Sequence, residues 1–211
     1  MTIQSDYGLS LVTGPALEPV SLIEAKSHLR IDASTTDYDA EITAWIIAAR
    51  RWAEGHTGRP IGQQTWKLTL DTWPGQCDRW GPGRWESLPY RDAILLPKPP
   101  VTAVSSIEYV DVDGVTQTLA ANQYIARLDT VPARIVPAYG VTWPDLRGDE
   151  GGVRVTFVCG EPASETTKAA IKMIVGHFDK NREATGADAD LAPVVGRLLD
   201  MEFSGLLYGA K

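Results

Sequence analysis

The sequence has few of the residues that support metal binding, disulfides or membrane insertion. Its 211 residues include two cysteines, Cys77 and Cys159, and three histidines. The cysteines lack Cys-x-x-Cys spacing, and no histidine has the i, i+4 partner of a zinc-binding helix. The longest apolar runs are far short of the ~20 residues of a membrane span, and the N-terminus does not have the pattern of a signal peptide. We therefore expect a soluble chain with free thiols that is made and kept in a cytoplasm.

Basic runs and catalytic motifs are also absent. The chain has 20 Lys and Arg against 27 Asp and Glu, for a net charge of −7. Tight binding to DNA requires clustered basic residues that neutralise the phosphates, and the sequence has no such cluster. We therefore expect no specific DNA binding. The sequence contains no P-loop, no Gly-x-Gly-x-x-Gly and no Gly-x-Ser-x-Gly. A hydrolase built from scattered carboxylates has no positive support, and we predict no enzyme activity and no cofactor.

The segment Asp111-Val112-Asp113-Gly114 begins like a calcium-binding loop. It lacks the third acidic ligand and the terminal glutamate at the required spacing. The Asp-Gly pair is instead typical of a β-hairpin turn, because glycine readily adopts the positive φ that such a turn needs.

Helical periodicity occurs at both ends of the chain. Ser21 and Glu24 have the spacing of a capping box at the start of a first helix. Thr36 is predicted to cap a second helix, in which apolar residues recur at helical spacing from Ile42 to Ala53. After residue 162 the helical pattern returns in two segments, and the last of these is unusually apolar.

The central part alternates in the manner of strands and holds most of the Pro and Gly. We therefore predict an α+β fold, in which a small bundle of two N-terminal and two C-terminal helices carries an inserted antiparallel β unit. The expected boundaries are an extended N-terminal arm at 1–18, the helical bundle at 19–60 and 161–211, and the β unit at 61–160.

Tryptophan is the unusual component, with seven residues. Trp45 and Trp52 lie on the predicted apolar face of the second helix and are expected in its core. The β unit holds the other five, Trp66, Trp73, Trp80, Trp85 and Trp143. Exposed aromatic rings suit a protein interface or sugar stacking, whereas the alternative is that these rings fold back onto a thin β core. Three are candidates for contact with a partner protein: Trp80, Trp85 and Trp143.

The last helix has more apolar surface than an amphipathic helix requires. Burial against a partner would cover this surface, and the alternative is a fully enclosed core helix. The residues that cover most of its circumference are Leu198, Leu199, Phe203, Leu206, Leu207 and Tyr208.

Taken in order, these segments resemble the head–tail connector family of tailed bacteriophages, also known as adaptor or head-completion proteins, which includes prophage and gene transfer agent members. The similarity covers roughly residues 18–185. It is carried by the order and spacing of Pro19 to Ile31, Asp39 to Pro60, Gln64 to Trp66, Leu96 to Gly114, and Ile171 to Glu183.

The resemblance implies a structural subunit of the virion neck that forms a ring, dodecameric to match the portal. Such a ring extends the DNA channel and joins the head to a stopper or tail-completion protein. The expected partners are the portal, neighbouring copies and that tail-side protein, while DNA passes without specific binding and no membrane is involved. The final helix is the candidate portal-facing element. Contact with a neighbouring subunit or with the tail-side protein is expected of Trp80, Trp85 and Trp143. The alternative function is a carbohydrate- or receptor-binding module that uses the tryptophans of the β insertion.

Overall fold

The structure is a computed structural model that describes residues 7–74, 92–181 and 191–207, with the side chains of 191, 192 and 202–207 left out. The chain divides into two compact units. One consists of residues 1–14 and 63–160, and the other of residues 15–62 and 161–211. We refer to them as the β unit and the helical unit.

The described part of the helical unit contains four helices. They are α1 (Leu22–Leu29), α2 (Asp39–Thr57), α3 (Glu165–Lys180) and α4 (Leu191–Leu207). The predicted capping box at α1 is confirmed, because the Ser21 hydroxyl accepts a hydrogen bond from Glu24 N and the Glu24 carboxylate accepts one from Ser21 N. Ser164 caps α3 in the same way, by accepting a hydrogen bond from Thr167 N.

The predicted start of α2 is wrong by two residues. The cap position is occupied by Tyr38, which makes no side-chain capping bond, and not by Thr36. The preceding turn explains the difference, because it has its own hydrogen bonds. Asp32 Oδ1 accepts the backbone N–H and the hydroxyl of Ser34, and Lys26 Nζ donates to Thr35 O at 2.7 Å. Lys26 is buried and also forms an ion pair with Asp39 in the first turn of α2.

The core of the helical unit is aliphatic. Its fully buried members come from all four helices and from the segments that flank them. They are Val20, Ala25, Ile42, Ile46, Ala49, Ala53, Ile61, Ala170, Ile171, Ile174, Val175, Val195 and Leu199.

A buried arginine links α2 to the chain that precedes α1. The Arg50 side chain donates to both carboxylate oxygens of Glu18 and to Glu54 one turn further along α2. The second oxygen of Glu54 accepts Ile61 N at 2.9 Å. Burial alone would lower the pKa of Arg50, but hydrogen bonds and charge from Glu18 and Glu54 raise it above its usual value. Arg50 and Glu54 together therefore connect the segment before α1 with the segment after α2.

Among the residues that the structure describes, the β unit contains eight strands in two sheets. They are β1 (Tyr7–Thr13), β2 (Gln64–Leu70), β3 (Ile94–Leu96), β4 (Val101–Val110), β5 (Thr116–Thr118), β6 (Tyr124–Arg127), β7 (Ala133–Pro137) and β8 (Val153–Cys159). The five-stranded sheet has the order β1-β2-β8-β4-β5, and the three-stranded sheet has the order β3-β7-β6. Every pairing between these strands is antiparallel, so the predicted α+β class with an antiparallel β part is confirmed.

The two sheets share one apolar core. In β8, the alternate residues Val153, Val155, Phe157 and Cys159 are fully buried, whereas the residues between them are partly exposed. The buried side chains of the three-stranded sheet belong to the same cluster. They are Ile94, Leu96, Ala133 and Ile135.

Strand β1 lies within the segment expected to be an extended arm. It is an edge strand that pairs with β2, and Leu9 lies opposite the buried Leu68. The strand has no charged residue, and Tyr7, Leu9 and Leu11 alternate along it, whereas Val12 falls outside this alternation. Hydrogen bonding to β2 makes this segment a strand of the sheet, which the sequence pattern of residues 1–18 did not predict.

Candidate partner-binding surfaces

Two kinds of site are absent from the part of the chain that the structure describes. Among these residues no group of His, Cys, Asp and Glu could hold a metal ion. Among the same residues, no helix is long and apolar enough to span a bilayer. The described residues do carry exposed apolar side chains that could contact partners.

The hairpin between β4 and β5 uses its aspartate to form the turn. Asp111 Oδ1 accepts the backbone N–H groups of Asp113 and Val115, and Oδ2 accepts the Gln117 side-chain amide at 2.9 Å. These bonds, with Gln117 the largest cause, lower the pKa of Asp111. Gly114 has φ 81°, as the predicted turn requires. Both oxygens of the Asp111 carboxylate therefore accept hydrogen bonds within the hairpin.

Helix α4 has one apolar side inside the helical unit and a second on its surface. Val195 and Leu199, one turn apart, are fully buried. Val194 and Met201 are seven residues apart, so they lie on the same side of the helix two turns from each other. Their exposed fractions are 55% and 78%, respectively. We call Val194 and Met201 the outer stripe of α4.

The structure separates the predicted interface residues of α4. Leu199 has no exposed surface, which is the position of a core side chain, and Leu198 is partly buried against the same core. Phe203, Leu206 and Leu207 lie within α4, but their side chains are outside the described part, as is Tyr208 entirely. The sequence pattern marked an apolar helix without showing which side is covered. The seven-residue spacing of Val194 and Met201 places them on one side of the helix, but the sequence does not show that this side is exposed.

A cluster of aromatic and charged groups connects α4 to α2. His56 Nε2 lies 3.0 Å from Asp200 Oδ1, and the His56 ring stacks on Trp52 with centroids 5.4 Å apart and an interplanar angle of 6°. A Cβ atom at Gly196 would approach His56 Cε1 to 3.0 Å, so glycine permits the close contact of the ring with α4. Trp52, which we expected in the core, is instead 36% exposed beside this contact, because it covers the imidazole and not the aliphatic interior.

Two tryptophans of the β unit form a buried stack. The rings of Trp73 and Trp143 are 4.6 Å apart and nearly parallel, at 5°. Trp73 has no exposed surface and Trp143 is 7% exposed. Trp73 Nε1 donates to Pro144 O at 2.8 Å, and Trp143 Nε1 donates to Asp92 O at 3.0 Å. Both indoles therefore have the burial and the hydrogen bonds of core residues.

This burial decides what the stack can do. A sugar platform needs an exposed ring face, and a protein contact needs accessible area, so neither role is available to Trp143 in this arrangement. Trp66 is partly buried, with Lys98 Nζ 5.3 Å above its ring. Trp80 and Trp85 lie outside the described residues, and their predicted interface role stays a prediction.

The chain is similar to several proteins of known structure. No family model and no curated protein matches the chain. A chain in the neck of an empty gene transfer agent particle, computed with C6 symmetry, has a TM-score of 0.67 and 23% identity over 90% of this chain and 94% of that one. A chain of a native gene transfer agent virion has a TM-score of 0.66 and 23% identity over 92% and 93%.

A third chain, from the neck of a native gene transfer agent particle computed with C12 symmetry, has a TM-score of 0.62 and 22% identity over 90% and 94%. The resemblance stated from the sequence is thus confirmed at the level of the fold. The chain shares the α+β arrangement of these neck proteins over nearly its full length.

Proposed function

We propose that this chain is a structural subunit of the neck of a phage-like particle and has no enzymatic activity. The observation that carries the proposal is the fold shared with chains from gene transfer agent necks over 90% of the sequence. The described residues also carry exposed apolar side chains, as a subunit that contacts several partners would.

In this role, copies of the chain form a ring. The similar neck structures were computed with C6 and C12 symmetry, which supports a ring of copies. Our proposal is a ring of twelve, the number that C12 symmetry would give. The ring lies below the portal, extends the DNA channel and presents its far side to a stopper or tail-completion protein. A net charge of −7 suits a channel wall that DNA passes without binding.

The portal-facing element is α4, through its outer stripe and the residues that follow. Val194 and Met201 are apolar and largely exposed, and such surface is stabilised by burial against a partner. Val195 and Leu199 hold the same helix to the core of the helical unit, so the stripe is presented on an element that its own fold keeps in place. Removal of residues 198–211 should abolish portal attachment, but it also removes Leu199 from the core. Surface variants are therefore the sharper test.

The test is co-expression of the full chain with its portal, followed by affinity capture and electron microscopy of the complex. We expect a ring on the portal for the unmodified chain. The double variant Val194→Glu with Met201→Glu should lower capture at least about tenfold, because two buried charges oppose docking.

The matched control is Ile23→Glu on α1, since Ile23 is 70% exposed in the same unit. It should leave capture unchanged. Undiminished capture of the double variant would remove α4 from the interface, and an unmodified chain that forms no ring on the portal would refute the neck role itself.

A further inference from the structure

The outer stripe of α4 and the contact of α4 with His56 occupy the same stretch of the helix. The His56 Nε2 atom lies 3.0 Å from Asp200 Oδ1, and a Cβ atom at Gly196 would lie 3.0 Å from His56 Cε1. Gly196 and Asp200 are one turn apart, so the imidazole spans one turn of α4. Val194 and Met201, the two residues of the stripe, lie just outside the two ends of that turn.

This contact is directional, whereas the core contacts of α4 are not. Val195 and Leu199 bury aliphatic side chains, and hydrophobic burial has no preferred direction, so it allows small rotations of the helix about its axis. A hydrogen bond weakens steeply when its donor and acceptor turn out of line. The bond between His56 and Asp200 therefore opposes a rotation of α4, and with it a change in the direction that the outer stripe faces.

The imidazole is itself held in place by its neighbours. It stacks on Trp52, which lies one turn earlier on α2, and it packs against Gly196 of α4. A change of the His56 rotamer would lose the stack and the hydrogen bond together. The donor that meets Asp200 is thus fixed relative to α2.

A protonated imidazole strengthens this contact. A carboxylate only accepts hydrogen bonds, so His56 Nε2 donates to Asp200, and the bond is stronger when the ring is charged. His56 also lies in the last turn of α2, where the helix dipole favours a cation. The face of the stacked Trp52 ring attracts a cation as well.

The charged neighbours in sequence do not reverse this preference. Near the end of α2, Glu54 is bound to the buried arginine of the same helix, and Arg59 is paired with Glu161. On α4, Arg197 is the other charged residue within four positions of Asp200 whose side chain the structure describes, and it is exposed. Solvent screens this like charge, whereas the Asp200 carboxylate is in direct contact with the imidazole.

We propose that His56 positions α4 for docking, because its hydrogen bond to Asp200 orients the helix so that the outer stripe faces the partner. The inference rests on the portal-facing role of α4 proposed above. Docking is then strongest when the imidazole is protonated. The side chains of His56 and Asp200 are 33% and 65% exposed, so the gain is the modest one of an exposed ion pair.

The first measurement uses the free, full-length chain and needs no partner. In an NMR titration from about pH 5 to about pH 8, where histidine changes its charge, the amide resonances of Val194 and Met201 should move along the same curve as the ring protons of His56. Both residues flank the contact, so their response reports a change in α4 itself. The amplitude should fall in Asp200→Asn. Stripe amides that do not follow the His56 curve, or that follow it equally in Asp200→Asn, would overturn the proposal.

The second measurement is affinity capture by the portal at about pH 6 and about pH 8. Glutamine keeps a hydrogen-bond donor but gains no charge, so the unmodified chain should be captured about threefold better than His56→Gln at the lower pH and nearly equally at the higher pH. Titration of the portal affects both chains and cancels in their ratio. A ratio that is the same at the two pH values contradicts the positioning role.

The matched control is His28→Gln, which removes an exposed histidine of α1 in the same unit. Its capture should equal that of the unmodified chain at both pH values, and a ratio like that of His56→Gln would overturn the assignment to His56. An unmodified chain that forms no ring on the portal refutes the neck role, whereas the titration of the free chain still decides whether His56 orients α4. The two failures are therefore different results.

Discussion

Replacement of Trp143 tests whether this residue belongs to the core of the β unit or to a partner surface. The ring is 7% exposed, stacks on Trp73 and donates to Asp92 O. A buried tryptophan removes about 150–250 Å² from water, which at about 25 cal/mol per Å² is worth about 4–6 kcal/mol. The partial compactness of the unfolded chain reduces this gain. We expect Trp143→Ala to lower the free energy of unfolding by about 3–5 kcal/mol, as tryptophan truncations in cores do.

Trp143→Phe divides this cost between packing and hydrogen bonding. Phenylalanine keeps an aromatic ring against Trp73 but leaves the carbonyl of Asp92 without its indole donor, so we expect a loss of about 1–3 kcal/mol. Urea unfolding followed by far-UV circular dichroism measures both variants without depending on tryptophan fluorescence. A cost below about 1 kcal/mol for Trp143→Ala would refute the core assignment. Unchanged stability with lost assembly would restore the interface prediction made from the sequence.

Three further predictions concern charge. Arg50→Met should lower the free energy of unfolding by about 3 kcal/mol in urea titrations, because two carboxylates that it binds, those of Glu18 and Glu54, lose their counter-charge; a loss under about 1 kcal/mol would contradict this. Hydrogen bonds from the backbone and side chain of Ser21 lower the pKa of Glu24 below the usual glutamate value of 4.5. The contribution of Glu24 to stability is therefore present above that unfolded value and is lost as the pH falls through the lower folded value. The stability difference between the unmodified chain and Glu24→Gln should therefore be constant above about pH 5 and change below about pH 4, and a flat difference down to pH 2 would exclude the capping contribution. The isolated chain should show no appreciable binding to duplex DNA in fluorescence anisotropy at physiological salt, and tight, salt-sensitive binding would end the passive-channel proposal.

Local signals predicted the features that depend on neighbouring residues. Ser21 and Glu24 are three residues apart and cap α1, and Asp111 and Gly114 form the hairpin turn as expected. Thr36 failed as a cap because Lys26 and Asp32 organise the turn that precedes α2. The first of these residues is ten positions away, beyond the range of a capping pattern.

Hydrophobic periodicity identified the helices and strands, but it did not show which side of each one is buried. The apolar pattern of α4 was visible, yet only packing against the helical core assigned Leu199 to the interior and Met201 to the surface. The same limit applies to the tryptophans. Composition left Trp143 between a core and an interface role, and its stacking on Trp73, 70 positions away in sequence, placed it inside.

The sequence by itself determined the helix-rich ends, the antiparallel middle, the caps and turns and the acidic balance, because each depends on contacts within a few residues or on composition alone. The tertiary structure decided the pairings between distant segments: β1 with β2, Arg50 with Glu18, Trp73 with Trp143, and Arg127 opposite Arg134. Strand register and core packing are properties of segments brought together by folding. A shift of one residue in register would turn Arg127 from the outer face towards the core, and no local pattern within β6 specifies the partner that it meets.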